Sequence, residues 1–239
     1  MDTKLSKTQI DKLGERLKTG NITEADLRFL DEYRRSFATA YDDVVTTIRQ
    51  ELALEPTGRP AKSTTSISEK LRRETVRLSQ VQDIAGCRIV VPNIAQQEES
   101  ISSIQKLLGP IQIVDRRDRP SHGYRAVHLI VTREGRIVEI QIRTDLQHLW
   151  AELSEKLSDV LDPSLKYGKG NIVALEILDI TSRLVSHHES TERRVVRLSK
   201  ELRTRPTEDL RGDIERLRKS IMALLRREIE EWETQREDS

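Results

Sequence analysis

Residues 126–144 read A-V-H-L-I-V-T-R-E-G-R-I-V-E-I-Q-I-R-T, two runs rich in β-branched residues. Such runs are typical of strands, so we predict strands over 126–132 and 136–144. Glu134-Gly135 between them favours a two-residue turn, since an acidic residue followed by glycine suits the backbone angles that such a turn needs. The stretch therefore predicts a β-hairpin.

Further strands and helices are predicted on both sides of the hairpin. Strand-like runs occupy residues 87–92 and 111–115, and helical runs occupy residues 66–77, 94–108 and 145–160. Strands interleaved with helices indicate an α/β (α+β) layer structure.

Helical patterns flank this core. The predicted divisions are an N-terminal helical extension over 1–55, a core over 56–168 and a C-terminal helical extension over 169–239. Within the first division, Thr23 and Asp26 resemble a capping box, and the apolar spacing from Leu27 to Ile48 predicts one long helix that ends before Pro56.

Composition narrows the classes of protein that fit. The net charge of +1 gives the chain no overall field for nucleic acid or anionic membranes. A single cysteine, Cys87, excludes an intramolecular disulfide. No apolar run reaches the roughly 18 residues that span a bilayer, and the charged residues 1–12 do not resemble a secretory signal. We therefore expect a cytoplasmic protein without a membrane partner.

Two acidic residues stand out against their surroundings. Glu139 alternates with Val138 and Ile140, so it lies on the polar face of its strand, with Gln141. That face is either solvent-exposed or a site for a metal–nucleotide complex. Asp83 precedes a strand and is either an ordinary turn residue or a ligand for Mg²⁺ beside a polyphosphate.

A dense basic run spans residues 59–73. Lys62, Ser66, Lys70 and Arg73 recur at helical spacing, so a helix opened by Ser66 would carry them on one face. Cations, hydroxyls and the N–H groups of a helix N-terminus suit a triphosphate. The alternative is a solvated charged face.

Residues 121–125 (S-H-G-Y-R) predict a turn ahead of a strand, with Gly123 at the bend. Tyr124 beside this glycine either stacks on a base or caps the edge of the core. His128 is a candidate phosphate contact, and Trp150 is interpreted as a core residue.

Signatures of competing chemistry are absent from the sequence. It contains no Walker phosphate loop, no zinc-type spacing of cysteine and histidine, and no G-x-S-x-G elbow. The cluster His187-His188-Glu189 is interpreted as surface, because adjacent side chains on a helix point about 100° apart.

The order of these motifs resembles the synthetase domain of RelA/SpoT enzymes. The matching motifs are R-P-A-K-S-T-T-S-I-S-E-K-L (59–71), D-I-A-G-C-R (83–88), G-Y-R-A-V-H (123–128), V-E-I-Q-I-R-T (138–144) and H-L-W-A (148–151). The resemblance implies a mixed sheet of about five strands flanked by helices, related to nucleotidyltransferases. It also implies a small single-domain alarmone synthetase, which moves the β,γ-pyrophosphate of ATP to the 3′-hydroxyl of GDP or GTP.

The resemblance assigns expected roles to individual residues. It implies that Asp83 and Glu139 hold Mg²⁺ and that Glu139 also activates the acceptor hydroxyl. The residues expected to bind ATP are Arg59, Lys62, Ser66, Lys70, Arg73, Arg88 and His128. The residues expected to bind the acceptor, with Tyr124 stacked on its base, are Tyr124, Arg125, Gln141, Arg143, His148 and Ala151.

Residues 115–122 (D-R-R-D-R-P-S-H) depart from the usual family segment and resemble the divergent, toxin-like small synthetases. This branch implies two other acceptors, the 3′ CCA end of tRNA and an adenosine nucleotide. The arginines predicted to contact tRNA phosphates are Arg116, Arg117, Arg119, Arg193, Arg194 and Arg197. A third hypothesis is a non-catalytic helical module, and the helical extensions are candidate surfaces for a homo-oligomer or an antitoxin.

Overall fold

The computed structural model describes residues 6–237, so residues 1–5 and 238–239 of the predicted extensions lie outside it. The helices are α1 (Lys7–Thr19), α2 (Glu24–Arg35), α3 (Ala38–Leu52), α4 (Thr64–Arg73), α5 (Ile94–Leu108), α6 (Asp145–Val160), α7 (Ile172–Glu201) and α8 (Glu208–Glu237). The strands are β1 (Thr57–Arg59), β2 (Ala85–Val91), β3 (Ile111–Asp115), β4 (Val127–Arg133) and β5 (Arg136–Thr144).

The five strands form one sheet in the order β1-β2-β5-β4-β3. The predicted hairpin is confirmed: Glu134 and Gly135 join β4 to β5 with φ angles of 49° and 71°, as a two-residue hairpin requires. Strand β1, which the sequence patterns did not predict, is only three residues long and pairs antiparallel with β2. The predicted sheet flanked by helices is therefore confirmed.

The N-terminal helices confirm one prediction and correct another. The capping box is present, because the Thr23 hydroxyl accepts from the Asp26 N–H and the Asp26 carboxylate accepts from the Thr23 N–H. The prediction of a single long helix ending before Pro56 is wrong, since α2 ends at Arg35 and α3 begins at Ala38. At the break, the Ser36 hydroxyl donates to the Tyr33 carbonyl at 2.6 Å and so competes with the helical hydrogen bonds.

Two compact units are present. Of the described residues, unit 1 comprises 6–89, 103–114 and 128–141, and unit 2 comprises 90–102, 115–127 and 142–237. The large side chains most completely buried in unit 1 include Leu13, Leu17, Leu30, Ile48, Ile67, Leu71, Leu78, Ile84, Ile89, Leu129 and Ile140.

The core of unit 2 lies between helices. Its buried members are Leu146, Leu149, Trp150, Leu153, Leu157, Leu165, Ala174, Leu178, Val185, Ile221 and Leu225, which come mainly from α6, α7 and α8. The interpretation of Trp150 as a core residue is confirmed, since it is 3% exposed and its indole N–H donates to the Leu178 carbonyl at 2.9 Å. Over the described part of the chain, none of the helices combines the length and the apolarity needed to cross a bilayer.

Candidate functional site

Asp83 lies in the turn before β2, where two lysines contact it. Its Oδ2 is 2.6 Å from the Lys62 ammonium and its Oδ1 is 2.8 Å from the Lys70 ammonium. Burial raises the pKa of Asp83, but the two positive charges outweigh burial and hold the pKa below its ordinary value. Asp83 is therefore an ionised, partly buried carboxylate, and it is not an ordinary exposed turn residue.

Glu139 is also buried, at 8% exposure, so the solvent-exposed interpretation of its strand face is wrong at this position. Its Oε1 is 2.9 Å from His128 Nδ1, and its Oε2 accepts from the Gln141 amide at 2.8 Å. Burial raises the pKa of Glu139, but the interactions with His128 and Gln141 outweigh burial and the nearby negative charge of Asp83, so the pKa is lowered. Unit 1 therefore carries a second ionised carboxylate close to the first.

One face of the sheet gathers the polar residues of unit 1. A Cβ added to Gly86 would lie 3.7 Å from the Glu139 Cβ, so both positions share that face. Arg88 follows Gly86 by two residues on β2, and Arg59 is the register partner of Gly86 on β1. Side chains two apart on a strand, and directly paired residues on neighbouring strands, point the same way. The predicted ATP residues Arg59 and Arg88 therefore lie on the same face as Glu139.

Helix α4 carries three of the predicted ATP residues, Ser66, Lys70 and Arg73. The helix is capped by Ser63 and not by Ser66 as predicted, because the Ser63 hydroxyl accepts from the Ser66 N–H at 3.2 Å. Ser66 lies in the first turn, and Lys70 lies one turn further on and contacts Asp83. Arg73 ends the helix and forms an ion pair with Glu74 at 2.8 Å. The structure thus brings Lys62 and Lys70 to Asp83, whereas Arg73 contacts a neighbouring acid.

In unit 2, Tyr124 forms a close pair with Arg143. The Arg143 guanidinium lies 5.0 Å from the centre of the Tyr124 ring and also donates to the Tyr124 hydroxyl at 3.0 Å. Arg143 is buried at 5% exposure, whereas Tyr124 is only partly buried against the core of unit 2. A cation beneath an aromatic ring fixes the ring plane, which suits a stacking surface.

The turn that carries Tyr124 is held against α7. The Arg125 guanidinium donates to the Gly123 carbonyl at 3.1 Å and to the Ser182 carbonyl at 3.1 Å. The Ser182 hydroxyl donates to the same Gly123 carbonyl at 2.8 Å. Gly123 has a φ of 90°, and a Cβ there would lie 2.7 Å from a ring carbon of Trp150. Arg125, a predicted acceptor residue, therefore makes contacts that position the turn.

Gly123→Ala is expected to lower the free energy of unfolding by about 2–4 kcal/mol, because it combines a left-handed backbone with an overlap on Trp150. Gly135→Ala is the matched control, since Gly135 also has a positive φ (71°) but a Cβ there would meet nothing within 4 Å. Urea unfolding of both variants measures the difference. Equal losses of stability would show that the overlap with Trp150 has no cost.

The other predicted acceptor residues lie in different places. His148 and Ala151 are both on α6, where Ala151 is buried and His148 is 3.3 Å from the Glu152 carboxylate. Gln141 instead donates to Glu139 in unit 1. Arg117, predicted to contact tRNA phosphates, is wrongly assigned, because it is 8% exposed and its guanidinium is bound by Asp115 and Glu98.

The surface interpretation of His187-His188-Glu189 is also wrong, since His188 and Glu189 are each 2% exposed. Glu189 accepts from the Thr144 hydroxyl at 2.6 Å and from the Gln147 amide at 3.0 Å. The Gln97 amide in turn donates to the Gln147 side-chain oxygen at 2.9 Å. We call Glu189, Thr144, Gln147 and Gln97 the polar network of unit 2.

The sequence patterns did not predict this polar network, although one part of it, the capping box at the start of α6, could have been found from them. Residues 144–147 read T-D-L-Q, and the Thr144 and Gln147 side chains form a capping box at the start of α6. Glu189 lies 45 residues further along the chain, so no local pattern links it to Thr144. The network holds the beginning of α6, which follows Arg143 and precedes His148.

The central region of the chain matches a known protein family. Residues 58–158 match the family model for the region found in RelA / SpoT proteins. This match confirms the resemblance expected from the motifs and includes Lys62, Lys70, Asp83, Tyr124 and Glu139.

Curated relatives cover part of the chain. An uncharacterised protein of Mycobacterium tuberculosis is 40% identical over 111 residues, which are 45% of this chain and 41% of that protein. The GTP pyrophosphokinase YjbM of Bacillus subtilis is 36% identical over 120 residues, which are 43% of this chain and 54% of that protein. The chain therefore spans about half or less of the length of these relatives.

A solved structure resembles more of the chain. A GTP pyrophosphokinase family protein from Streptococcus pneumoniae superimposes with a TM-score of 0.52 at 25% identity, covering 84% of this chain and 98% of that one. This similarity supports the same arrangement of a central sheet and flanking helices.

Proposed function

We propose that this chain is an ATP-dependent pyrophosphokinase that transfers the β,γ-diphosphate of ATP to the 3′-hydroxyl of GDP or GTP. One observation carries the proposal: unit 1 holds two ionised carboxylates near enough to interact electrostatically, Glu139 and Asp83, and Lys62 and Lys70 contact Asp83. The RelA/SpoT region and the pyrophosphokinase relatives support the same reaction.

Glu139 is the proposed general base. In the reaction, the acceptor oxygen bonds to the β-phosphorus, its proton passes to Glu139, and AMP leaves with the oxygen that linked the α- and β-phosphorus atoms. Because its pKa is lowered, Glu139 is ionised at neutral pH, as a general base must be before it takes a proton. His128 and Gln141 contact one carboxylate oxygen each and so fix the orientation of the group.

Mg²⁺ is the proposed cofactor, and Asp83 and Glu139 are the residues that would hold it. The donor set fits, because Mg²⁺ binds through one or two carboxylates together with the phosphate oxygens of the substrate. When bound, the ion would neutralise negative charge on the phosphates. Lys62, Lys70, Arg59 and Arg88 would bind phosphate oxygens, since such transfers depend mainly on positioning and charge neutralisation.

Acceptor binding is proposed for unit 2. The Tyr124 ring, fixed by Arg143, offers a flat surface on which a guanine base would stack. Arg125 and Ser182 would hold the turn in place, so that the ring does not have to be ordered when the acceptor binds.

An acceptor screen tests the proposal. Protein, Mg²⁺ and ATP labelled in the β- and γ-phosphates are incubated separately with GDP, GTP, an adenosine nucleotide and deacylated tRNA, and the products are separated. We expect the label to appear on a guanosine nucleotide made from GDP or GTP, with one AMP formed for each labelled diphosphate transferred. Label on tRNA or adenosine alone would overturn the guanine assignment, and no label on any acceptor would overturn the enzyme assignment.

A further inference from the structure

Both oxygens of the Asp83 carboxylate already have cationic partners. Lys62 contacts Oδ2 and Lys70 contacts Oδ1, each with a side-chain exposure of about a fifth. The two lysines reach Asp83 from different positions, one ahead of α4 and one within it. We call this arrangement the lysine latch.

The latch is built into the backbone around it. The Lys62 N–H donates to the Ile84 carbonyl at 2.7 Å, next to Asp83 in sequence. The Lys62 carbonyl accepts from the Arg34 side chain at 2.7 Å. Lys70 lies on α4, whose residues Ile67 and Leu71 are fully buried in the core of unit 1. Because backbone contacts and a packed helix hold both lysines, the latch is not a chance surface ion pair.

A divalent cation that approaches Asp83 alone meets an unfavourable arrangement. One lone pair on each Asp83 oxygen is engaged by the ammonium groups of Lys62 and Lys70, at 2.6 and 2.8 Å, and both of these groups repel the metal ion. A triphosphate changes the balance, because its oxygens are strong acceptors for the same ammonium groups. Once the lysines bind phosphate, the Asp83 oxygens are available to a metal.

We propose that Lys62 and Lys70 restrict Asp83 to a metal that arrives with a nucleoside triphosphate, and exclude the free ion. The inference rests on the proposed function and adds that the metal binds Asp83 together with the nucleotide and not before it. Nucleotide and metal binding are then positively coupled, and the coupling is reciprocal by thermodynamic necessity.

The test uses Mn²⁺ as the metal probe and measures the free ion by electron paramagnetic resonance. Wild-type protein is titrated with Mn²⁺ alone and with saturating α,β-methylene-ATP, which cannot be cleaved at the reacting bond. The nucleotide itself also binds Mn²⁺, so a titration without protein measures this amount, which is then subtracted. We expect Mn²⁺ to bind at least about tenfold more tightly when the analogue is present, within the usual range of coupling between sites.

The second part of the test replaces the two lysines of the latch. Lys62→Met with Lys70→Met is expected to bind Mn²⁺ without nucleotide at least about tenfold more tightly than wild type, and to lose most of the gain from the analogue. Lys18→Met is the matched control, since Lys18 is a lysine of unit 1 paired with Glu15. Adding Asp83→Asn to the double variant must remove the new affinity, which shows that the metal binds at Asp83.

Three results would overturn the inference: equal Mn²⁺ affinity of wild type with and without the analogue, no gain in the double variant, or a gain that survives Asp83→Asn. The wild-type arm needs no substitution, so a poorly folded variant does not weaken the test. The readout is metal binding and not turnover. Coupled binding with no labelled acceptor would contradict only the proposed reaction, and turnover without coupling would contradict only the latch.

Discussion

Glu139→Gln is expected to lower kcat by about 10²–10⁴-fold, the usual contribution of a positioned general base. The substitution keeps the volume and one acceptor oxygen of the side chain, so the contact with Gln141 is retained. What it removes is the negative charge, and with it both the basic group that would take the proton of the acceptor hydroxyl and an anionic ligand for Mg²⁺. The effect should therefore appear in kcat, measured at saturating ATP and acceptor.

Glu134→Gln is the matched control, because Glu134 is an exposed glutamate in the turn of the same hairpin. It should keep kcat within about twofold and leave stability within about 0.5 kcal/mol, as is usual for surface substitutions. Thermal unfolding of Glu139→Gln shows whether the fold is retained. A folded Glu139→Gln protein with the turnover of wild type would exclude Glu139 as the base.

Much of the fold could be predicted from local patterns. The hairpin around Glu134-Gly135 was predictable, because alternation and turn chemistry act over a few residues. Strand β1 was not, since its three residues carry too little pattern and depend on pairing with β2. The break between α2 and α3 was missed because a serine hydroxyl bonded to the preceding turn leaves the apolar period unchanged.

In the candidate site, too, some features could be predicted from local patterns and others could not. Asp83 and Glu139 were identified from motifs, but their burial and their partners depend on long-range packing. The contact between Lys62 and Asp83 joins residues 21 apart in sequence, and the contact between Lys70 and Asp83 joins residues 13 apart. A pattern of residue types cannot give the pairing of a cation with one particular acid. It therefore indicated phosphate binding and gave no sign of the latch.

Glu189→Ala is expected to lower the free energy of unfolding by about 2–4 kcal/mol, since it leaves two buried donors, from Thr144 and Gln147, without their acceptor. Glu176→Ala, an exposed glutamate on the same helix, should change stability by less than about 0.5 kcal/mol. Urea unfolding measures both. A loss in Glu189→Ala no larger than in the control would mean that the polar network of unit 2 does not stabilise the fold.

The pH dependence of the free energy of unfolding shows how much the ionisation of Glu189 affects stability, apart from the hydrogen bonds that the side chain accepts. Burial raises the pKa of Glu189 above its ordinary value, although Thr144, Gln147, Arg193 and Arg125 oppose the shift. A raised pKa in the folded state stabilises the protein below the unfolded-state pKa of about 4.3, and this contribution is lost as pH rises through the folded-state pKa. Glutamine at this position has no such titration. The stability of wild type relative to Glu189→Gln should therefore fall between acidic and neutral pH, measured by urea unfolding at a series of pH values. A difference that stays constant, or grows with pH, would contradict the raised pKa, because the folded protein would then ionise Glu189 at least as readily as the unfolded chain does.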